Sequence, residues 1–447
     1  MESTIAAIAT PPGMGAVGMI RVSGAEAFSL VTKCVASQKD CRLFKERYAT
    51  LTKIVGDDGA TLDEVLITCF HGLRSYTGED TVEIACHGGV LVMRRVLQRL
   101  LDVGIQSAGA GEFSQRAFLN GKMDLTQAEA VMDLISAQTE LAMRAAHEQL
   151  QGTLGNDSEA IREDILGIAA HVEAYIDFPE EDIDADTGNT LKKRLLHTGE
   201  KIDRLLQTAE QGRILREGVR TVIFGAPNAG KSSLLNRLLG YERAIVSDIE
   251  GTTRDTVEEV LNLQGIPVRL IDTAGMRDSE DVIEQQGVQR TRDQIETADL
   301  ILEVVDGTQA HEKRLSERDV DGRHHLLVIN KSDKSLHADW ENMGGTQISC
   351  TSGEGIDSLV ETIADELSMG AGEWGGHAVA INARHQACLR RAKNALQQAI
   401  QTLASGEGAE FISIELREAM ESIGEIAGRI DTEELLGEIF SSFCIGK

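Results

Sequence analysis

The sequence predicts a multidomain protein of mixed α/β and α class. It has an amino-terminal α+β domain and a central helical domain. Inserted in the helical domain is a phosphate-loop domain with a doubly wound, mostly parallel sheet. Three textures carry this. Residues 1–120 mix short β-branched runs with helical stretches; residues 121–216 and 373–447 are almost purely helical in periodicity; residues 217–372 alternate strands with helices. At 447 residues the chain is too long for one core, so division is expected from length alone.

In the first domain Met19–Val22, Val65–Thr68 and Thr81–Ala85 read as strands and Val90–Leu101 as a helix. Ala and Leu then recur at helical spacing through Leu125–Leu150, Ile161–Ile176 and Leu191–Leu215. The acidic run Asp177–Asp186 interrupts them as a loop. The same texture returns in Ala383–Leu403 and Ile412–Ile439. Between the helical halves, strands are expected at Val219–Phe224, Val268–Ile271, Leu300–Val305, Leu326–Ile329 and Gln347–Ser349, with Met369–Gly376 as the return linker.

Composition narrows the class. The chain is 42% hydrophobic and 26% charged with 5 prolines, as a soluble globular protein is. No apolar run approaches the ~18–20 residues of a membrane span, and the start lacks the basic region of a signal peptide. The expectation is a cytoplasmic protein with no membrane partner. The seven cysteines (Cys34, Cys41, Cys69, Cys86, Cys350, Cys388, Cys444) form no CxxC pair and are odd in number, against a disulfide framework or a zinc site. The net charge of −28 repels phosphate backbones, so a nucleic-acid substrate would need a local basic patch or a partner protein.

The chemistry concentrates between the helical halves. Gly225-Ala-Pro-Asn228-Ala229-Gly230-Lys231-Ser232 follows a buried strand and opens a helix, the context a phosphate loop requires. Glycines let amides turn inward around phosphates, Lys231 offers charge, and Ser232 offers a hydroxyl to Mg²⁺. Asp272-Thr273-Ala274-Gly275 ends a strand, where a carboxylate reaches the Mg²⁺ shell and a glycine amide senses the γ-phosphate. Asn330-Lys331-Ser332-Asp333 ends another, and Asp333 offers two acceptor oxygens to guanine N1–H and the exocyclic amine. Adenine would leave that carboxylate unmatched, so GTP is expected over ATP. Ser349-Cys350-Thr351 would supply an amide for the guanine carbonyl, with Cys350 a small buried thiol where Ala is usual. Thr253, in Gly251-Thr252-Thr253-Arg254-Asp255, can close on Mg²⁺ as a switch.

Hydrolysis needs a positioned water. The residue after Gly275 is Met276, which cannot orient one, and no arginine finger is evident. Asn228 and the segment Ser247–Thr252 could coordinate a potassium ion that supplies the missing positive charge. An acidic residue beyond Met276 would hold the water; the residues alone do not choose among Asp278, Glu280, Asp281 and Glu284. Elsewhere, Gly13-Met-Gly15-Ala-Val-Gly18 spells a dinucleotide fingerprint, but the strand-like Met19-Ile-Arg-Val follows it, so that reading is rejected.

Several motifs outside the nucleotide domain resemble those of the bacterial tRNA modification GTPase family MnmE (TrmE). They are Thr10-Pro-Pro-Gly13, Ile20-Arg-Val-Ser-Gly24, Tyr76-Thr-Gly-Glu-Asp80, His87-Gly-Gly89, Gly111-Glu-Phe-Ser114, Arg116-Ala-Phe-Leu-Asn120 and the tail Phe443-Cys-Ile-Gly-Lys447. The resemblance spans the chain. It implies a GTP contact set that adds Ser233, Ser247, Asp248, Ile249 and Glu250 to the motifs above. It also implies Mg²⁺ on Ser232 and Thr253, and K⁺ on Asn228, Ser247, the Ile249 carbonyl and Thr252, with Glu284 as the water-orienting residue. It implies a homodimer through an amino-terminal domain that binds 5,10-methylenetetrahydrofolate, or a 5-formyl-tetrahydrofolate analogue, through Arg21, Glu83, Lys122 and Lys447. Cys444 is implicated in the modification chemistry. That chemistry adds a carboxymethylaminomethyl or aminomethyl group at carbon 5 of the wobble uridine of certain tRNAs. The family acts in a heterotetramer with a flavin-dependent partner, MnmG (GidA), which alone carries FAD. The competing reading is a ribosome-assembly or signalling GTPase switch without substrate chemistry. Such a factor usually carries a basic RNA-binding appendage; this chain has an acidic helical shell.

Overall fold

The computed structural model describes residues 3–37, 40–177, 187–241, 259–271, 294–312, 315, 320, 322–340, 343–368, 381–406, 408–429 and 433–446. The chain divides into two compact units, Met1–Met132 with Gly424–Lys447, and Asp133–Ile423.

The first unit is built on β1 (Ile5–Ile8), β2 (Val17–Ser23), α1 (Ala27–Thr32), β3 (Thr50–Val55), β4 (Thr61–Phe70), β5 (Thr81–His87), α2 (Val90–Asp102), β6 (Gln106–Ser107), α3 (Glu112–Leu119) and the start of α4 (Leu125–Ser136). Its six strands run β3-β4-β5-β2-β1-β6, antiparallel except for the β1–β6 pair. Period-two alternation decides the faces. Ile20, Val22, Val65, Ile67, Val82 and Ile84 are buried in one core with Phe28 and Val31 of α1 and Met93, Val96 and Leu100 of α2. Arg21 and Glu83, alternating with those core residues, are directly paired across β2 and β5. The sequence picked out the strands with dense β-branching. It passed over β1, β3 and β6, whose Ala-rich, polar or two-residue stretches give little signal. Gly13–Gly18 leads into β2 and opens no helix, as expected.

In the second unit follow α5 (Glu140–Leu150), α6 (Thr153–Asp177), α7 (Thr187–Glu217), β7 (Val219–Gly225), α8 (Lys231–Tyr241), β8 (Glu259–Leu263), β9 (Ile266–Leu270), β10 (Leu300–Asp306), β11 (His324–Asn330), β12 (Thr346–Gln347), α9 (Ile356–Ser368), α10 (Ala383–Ser405) and α11 (Ala409–Gly424). The helix expected over Leu125–Leu150 is two helices. Thr139 breaks it by capping α5, its hydroxyl accepting the Ala142 amide at 3.2 Å. The sheet order is β12-β11-β10-β7-β9-β8. All its pairs are parallel except β8–β9. That hairpin turns on Gln264 (φ +52) and Gly265 (φ +91), a two-residue turn whose left-handed backbone suits the strand twist. The sequence reading missed β8, because Gln stands where Asn or Asp would announce the turn. Val219, Ile223, Leu234, Leu238, Val268, Leu300, Leu302, Val304, Val328 and Leu359 form the core between sheet and helices.

The chain returns to the first unit in α12 (Glu433–Ser441). Here too a single expected helix, Ile412–Ile439, is divided, and Leu436, Phe440 and Phe443 pack on Leu125 and Ala128. Among the described residues no helix is long and apolar enough to cross a membrane.

Candidate functional site: the carboxyl edge of the second sheet

Parallel strands end on the same edge, so loops that follow them are brought together whatever their separation in sequence. β7 ends at Gly225, β10 at Asp306 and β11 at Asn330. In register, Val304 lies opposite Gly225 and Asp306 opposite Asn330. The phosphate-loop, Asn330–Asp333 and Ser349–Thr351 segments therefore converge at one place.

The loop after β7 needs its glycines for two reasons. Gly225 (φ +154) and Gly230 (φ +104) have conformations that side chains resist. They also have no room: a Cβ on Gly225 would lie 2.1 Å from the Val304 carbonyl oxygen, and one on Gly230 2.0 Å from Asn330 Nδ2. Asn228 is left-handed too, at φ +62. Positive-φ positions of this kind are the ones that let a loop turn its backbone amides toward an anion. Lys231 Nζ donates to the carbonyls of Gly225 (3.0 Å) and Ala226 (2.9 Å), which holds the ammonium at the loop. α8 starts at Lys231, so Ser232 and Ser233 lie in its first turn, where amides and helix dipole favour an anion. Ala229 is buried behind them.

Asn330, 3% exposed, joins the loops. Its Nδ2 donates to the Ala229 carbonyl at 2.8 Å, and its Oδ1 accepts the Cys350 amide at 3.1 Å. The Ser332 amide donates to Ile348 O at 3.0 Å. Asp333 Oδ1 accepts from Ser349 Oγ at 2.7 Å, so its carboxylate faces the Ser349–Thr351 loop. Cys350 is half-buried against the sheet core, and burial raises its thiol pKa despite the nearby Arg237. Its amide is engaged by Asn330, so this loop meets a base either by exchanging that bond or through the next amide.

Two residues here escaped the sequence reading. Asp306 accepts Lys331 Nζ at 2.6 Å and the amide and hydroxyl of Thr308 at 3.0 and 2.7 Å. Burial pushes the Asp306 carboxyl up, but the Lys331 and Thr308 hydrogen bonds outweigh it and hold it below the usual carboxylate range. An aspartate ending a buried strand was the available signal. Arg237 of α8 donates to the carbonyls of Cys350 and Thr351 at 2.9 and 2.8 Å. No sequence pattern marks that contact between distant segments.

Ser247, Asp248, Ile249, Glu250, Gly251, Thr252, Thr253, Asp272, Thr273, Ala274, Gly275, Glu284 and Lys447 lie outside the described residues. The chain is followed to Ile271, whose amide donates to Thr221 O at 3.0 Å beside β7.

In the first unit, Arg21 Nε and Nη2 donate to Glu83 Oε1 at 3.1 and 2.9 Å. The guanidinium lies 5.1 Å from the Tyr76 ring centroid and 5.7 Å from that of Phe113. Lys122 donates to the Leu73 carbonyl. Cys444 is exposed. Its segment is fixed by an Ala110–Ile445 bridge and by Gly446, where a Cβ would lie 2.4 Å from Ile8 O. Among the described residues no group of three or more His, Cys, Asp or Glu is arranged to hold a metal.

A phosphate loop at the end of the central strand, an Asn-Lys-Ser-Asp segment two strands away and an inter-loop asparagine define a P-loop protein of the guanine-nucleotide-binding class. Residues 125–444 match the family described as the MnmE helical domain, and residues 4–122 the GTP-binding protein TrmE N-terminus. The chain is 51% identical to the tRNA modification GTPase MnmE of Akkermansia muciniphila, over 100% of this chain and 99% of that one. It is 43% identical to the proteins of the same description from Natranaerobius thermophilus and Aquifex aeolicus, over 100% of both chains in each case. The chain belongs to the tRNA modification GTPase MnmE family.

Proposed function

We propose that this protein binds GTP at the carboxyl edge of its second-unit sheet, hydrolyses it, and acts in tRNA modification. Asn330 carries the nucleotide reading, because one buried amide holds the phosphate-loop and base-loop segments together. Asp333 then accepts guanine N1–H and the exocyclic amine, and Lys231 with the α8 amides meets the phosphates. Oxygen donors suit hard cations. Ser232 and Thr253 would hold Mg²⁺. Asn228, left-handed in its loop, would join Ser247, the Ile249 carbonyl and Thr252 on K⁺. When bound, both ions offset charge developing on the transferred phosphoryl group. Glu284 orients the attacking water, which Met276 cannot do.

The tRNA part rests on the full-length likeness to relatives of that description. In the same reading Arg21, Glu83, Lys122 and Lys447 take a tetrahydrofolate one-carbon donor. The Glu83 carboxylate can accept from a pterin's N–H groups, as Asp333 does from guanine. The exposed Cys444 offers a thiol to the modification chemistry. Dimerisation runs through the first unit, and a flavin-bearing MnmG partner supplies redox chemistry and much of the grip on tRNA, which suits a chain of net charge −28.

The deciding experiment is a nucleoside mass profile of tRNA from cells lacking this protein and from cells complemented with it. Carboxymethylaminomethyl and aminomethyl wobble uridines should vanish and return. An unchanged profile would remove the tRNA role and leave the nucleotide reading standing.

A further inference from the structure

Arg237 lies about two turns after Lys231 on α8, the helix that opens with the phosphate-facing residues. Its Nε and Nη2 take the carbonyls of two successive residues, Cys350 at 2.9 Å and Thr351 at 2.8 Å. A planar guanidinium can span two neighbouring acceptors; an ammonium is a single point of donation. In a trans peptide the N–H points opposite the C=O. Holding these two carbonyls therefore fixes the directions of the Thr351 and Ser352 amides. The Ser352 amide donates to Ser349 Oγ at 3.1 Å and the Cys350 amide to Asn330 Oδ1 at 3.1 Å, so both neighbours of Thr351 are pinned as well.

We infer that Arg237 is a positioning residue for guanine selection: it fixes the peptide planes of the Cys350–Thr351 loop so that an amide meets the 6-carbonyl of the base. It thereby ties base reading to the helix that carries the phosphate contacts. Two recognition tasks are separated in this arrangement. Asp333 reads the N1–H and 2-amino edge, and the clamped loop reads the 6-position. The inference rests on the guanine reading above.

The test uses the full chain with Arg237→Ala and Arg237→Lys, titrated with GDP, with 6-thioguanosine diphosphate (altered only at the 6-position) and with IDP (lacking only the 2-amino group). Arg237→Ala should weaken GDP about three- to tenfold, the weight of one or two partly exposed hydrogen bonds. Its preference for GDP over the 6-thio analogue should shrink by a similar factor. Its preference for GDP over IDP should stay at the wild-type value, its nucleotide-free melting temperature should fall by no more than the few degrees that two partly exposed hydrogen bonds carry, and Arg237→Lys should fall between. Equal weakening toward all three nucleotides, or a lowered melting temperature with unchanged preferences, would mean that Arg237 only braces the loop and would overturn the inference. A wild-type chain that prefers none of the three would instead sink the guanine reading beneath it.

Discussion

Gly230 and Asn330 show how closely the nucleotide loops are fitted. The glycine's missing side chain is the space the asparagine amide occupies, and its φ of +104 is open to few other residues. Gly230→Ala should therefore displace Asn330 and cut GTP affinity by at least about tenfold; a variant binding at wild-type affinity would show that the loop can give way. Asp306 makes a pH statement at the same scale. Its pKa is depressed in the folded chain, so its contribution is present at neutral pH and lost as pH falls through and below the ordinary carboxylate value of 3.8. Asp306→Asn should thus lower stability at about pH 7 more than at about pH 3 in urea melts. An equal loss at both would deny the Lys331 pairing its role.

Elements are held by a few large side chains and by turns that propensity does not announce. α12 packs on α4 through Phe440, 2% exposed, whose ring centroid is 5.1 Å from that of Phe443. Phe440→Ala should cost about 3–5 kcal/mol of stability in the unit that contains it. It should also loosen the tail that carries Cys444, read as faster hydrogen exchange around Gly111, whose amide donates to Cys444 O at 3.4 Å. Unchanged exchange there would mean the Ala110–Ile445 bridge suffices. The β8–β9 hairpin is positioned within its unit by Gly265, where a Cβ would meet Leu141 Cδ1 at 2.6 Å.

For the whole molecule, the distribution of thiols gives a direct check of the two cores. Cys34, Cys41, Cys69, Cys86 and Cys388 are buried, and burial pushes Cys34 up to about 11 and Cys86 up to about 12. Native protein at about pH 8 should therefore alkylate quickly at Cys444, slowly at half-buried Cys350, and at the other five only on unfolding. Peptide mapping after a timed iodoacetamide pulse reads this, and rapid labelling of Cys34 or Cys86 would contradict the first-unit core. Hydrolysis should also slow sharply when sodium replaces potassium, since the two differ in the coordination distance the Asn228 loop must match; equal rates in both salts would remove potassium from the proposed mechanism.

Local residue patterns were enough for the order of textures, the phosphate-loop and Asn330–Asp333 segments and the rejection of a dinucleotide site at Gly13–Gly18. Each of these is a local pattern: a glycine spacing, an alternation of apolar residues, a strand where a helix was required. Helices such as Val90–Asp102 and Ala383–Ser405 were legible as units, whereas the run Leu125–Leu150 is divided between Ser136 and the cap Thr139, where the apolar spacing gives no sign of a break. Long-range packing was needed to bring Asn330 between Ala229 and Cys350, Asp306 onto Lys331 and Arg237 onto two carbonyls more than a hundred residues away. It likewise returns α12 to the first unit to bury Phe440. The physical reason is the same in each case. Parallel strands and packed helices bring distant residues together by register and by shared burial, and neither leaves a signal in the residues next to them along the chain.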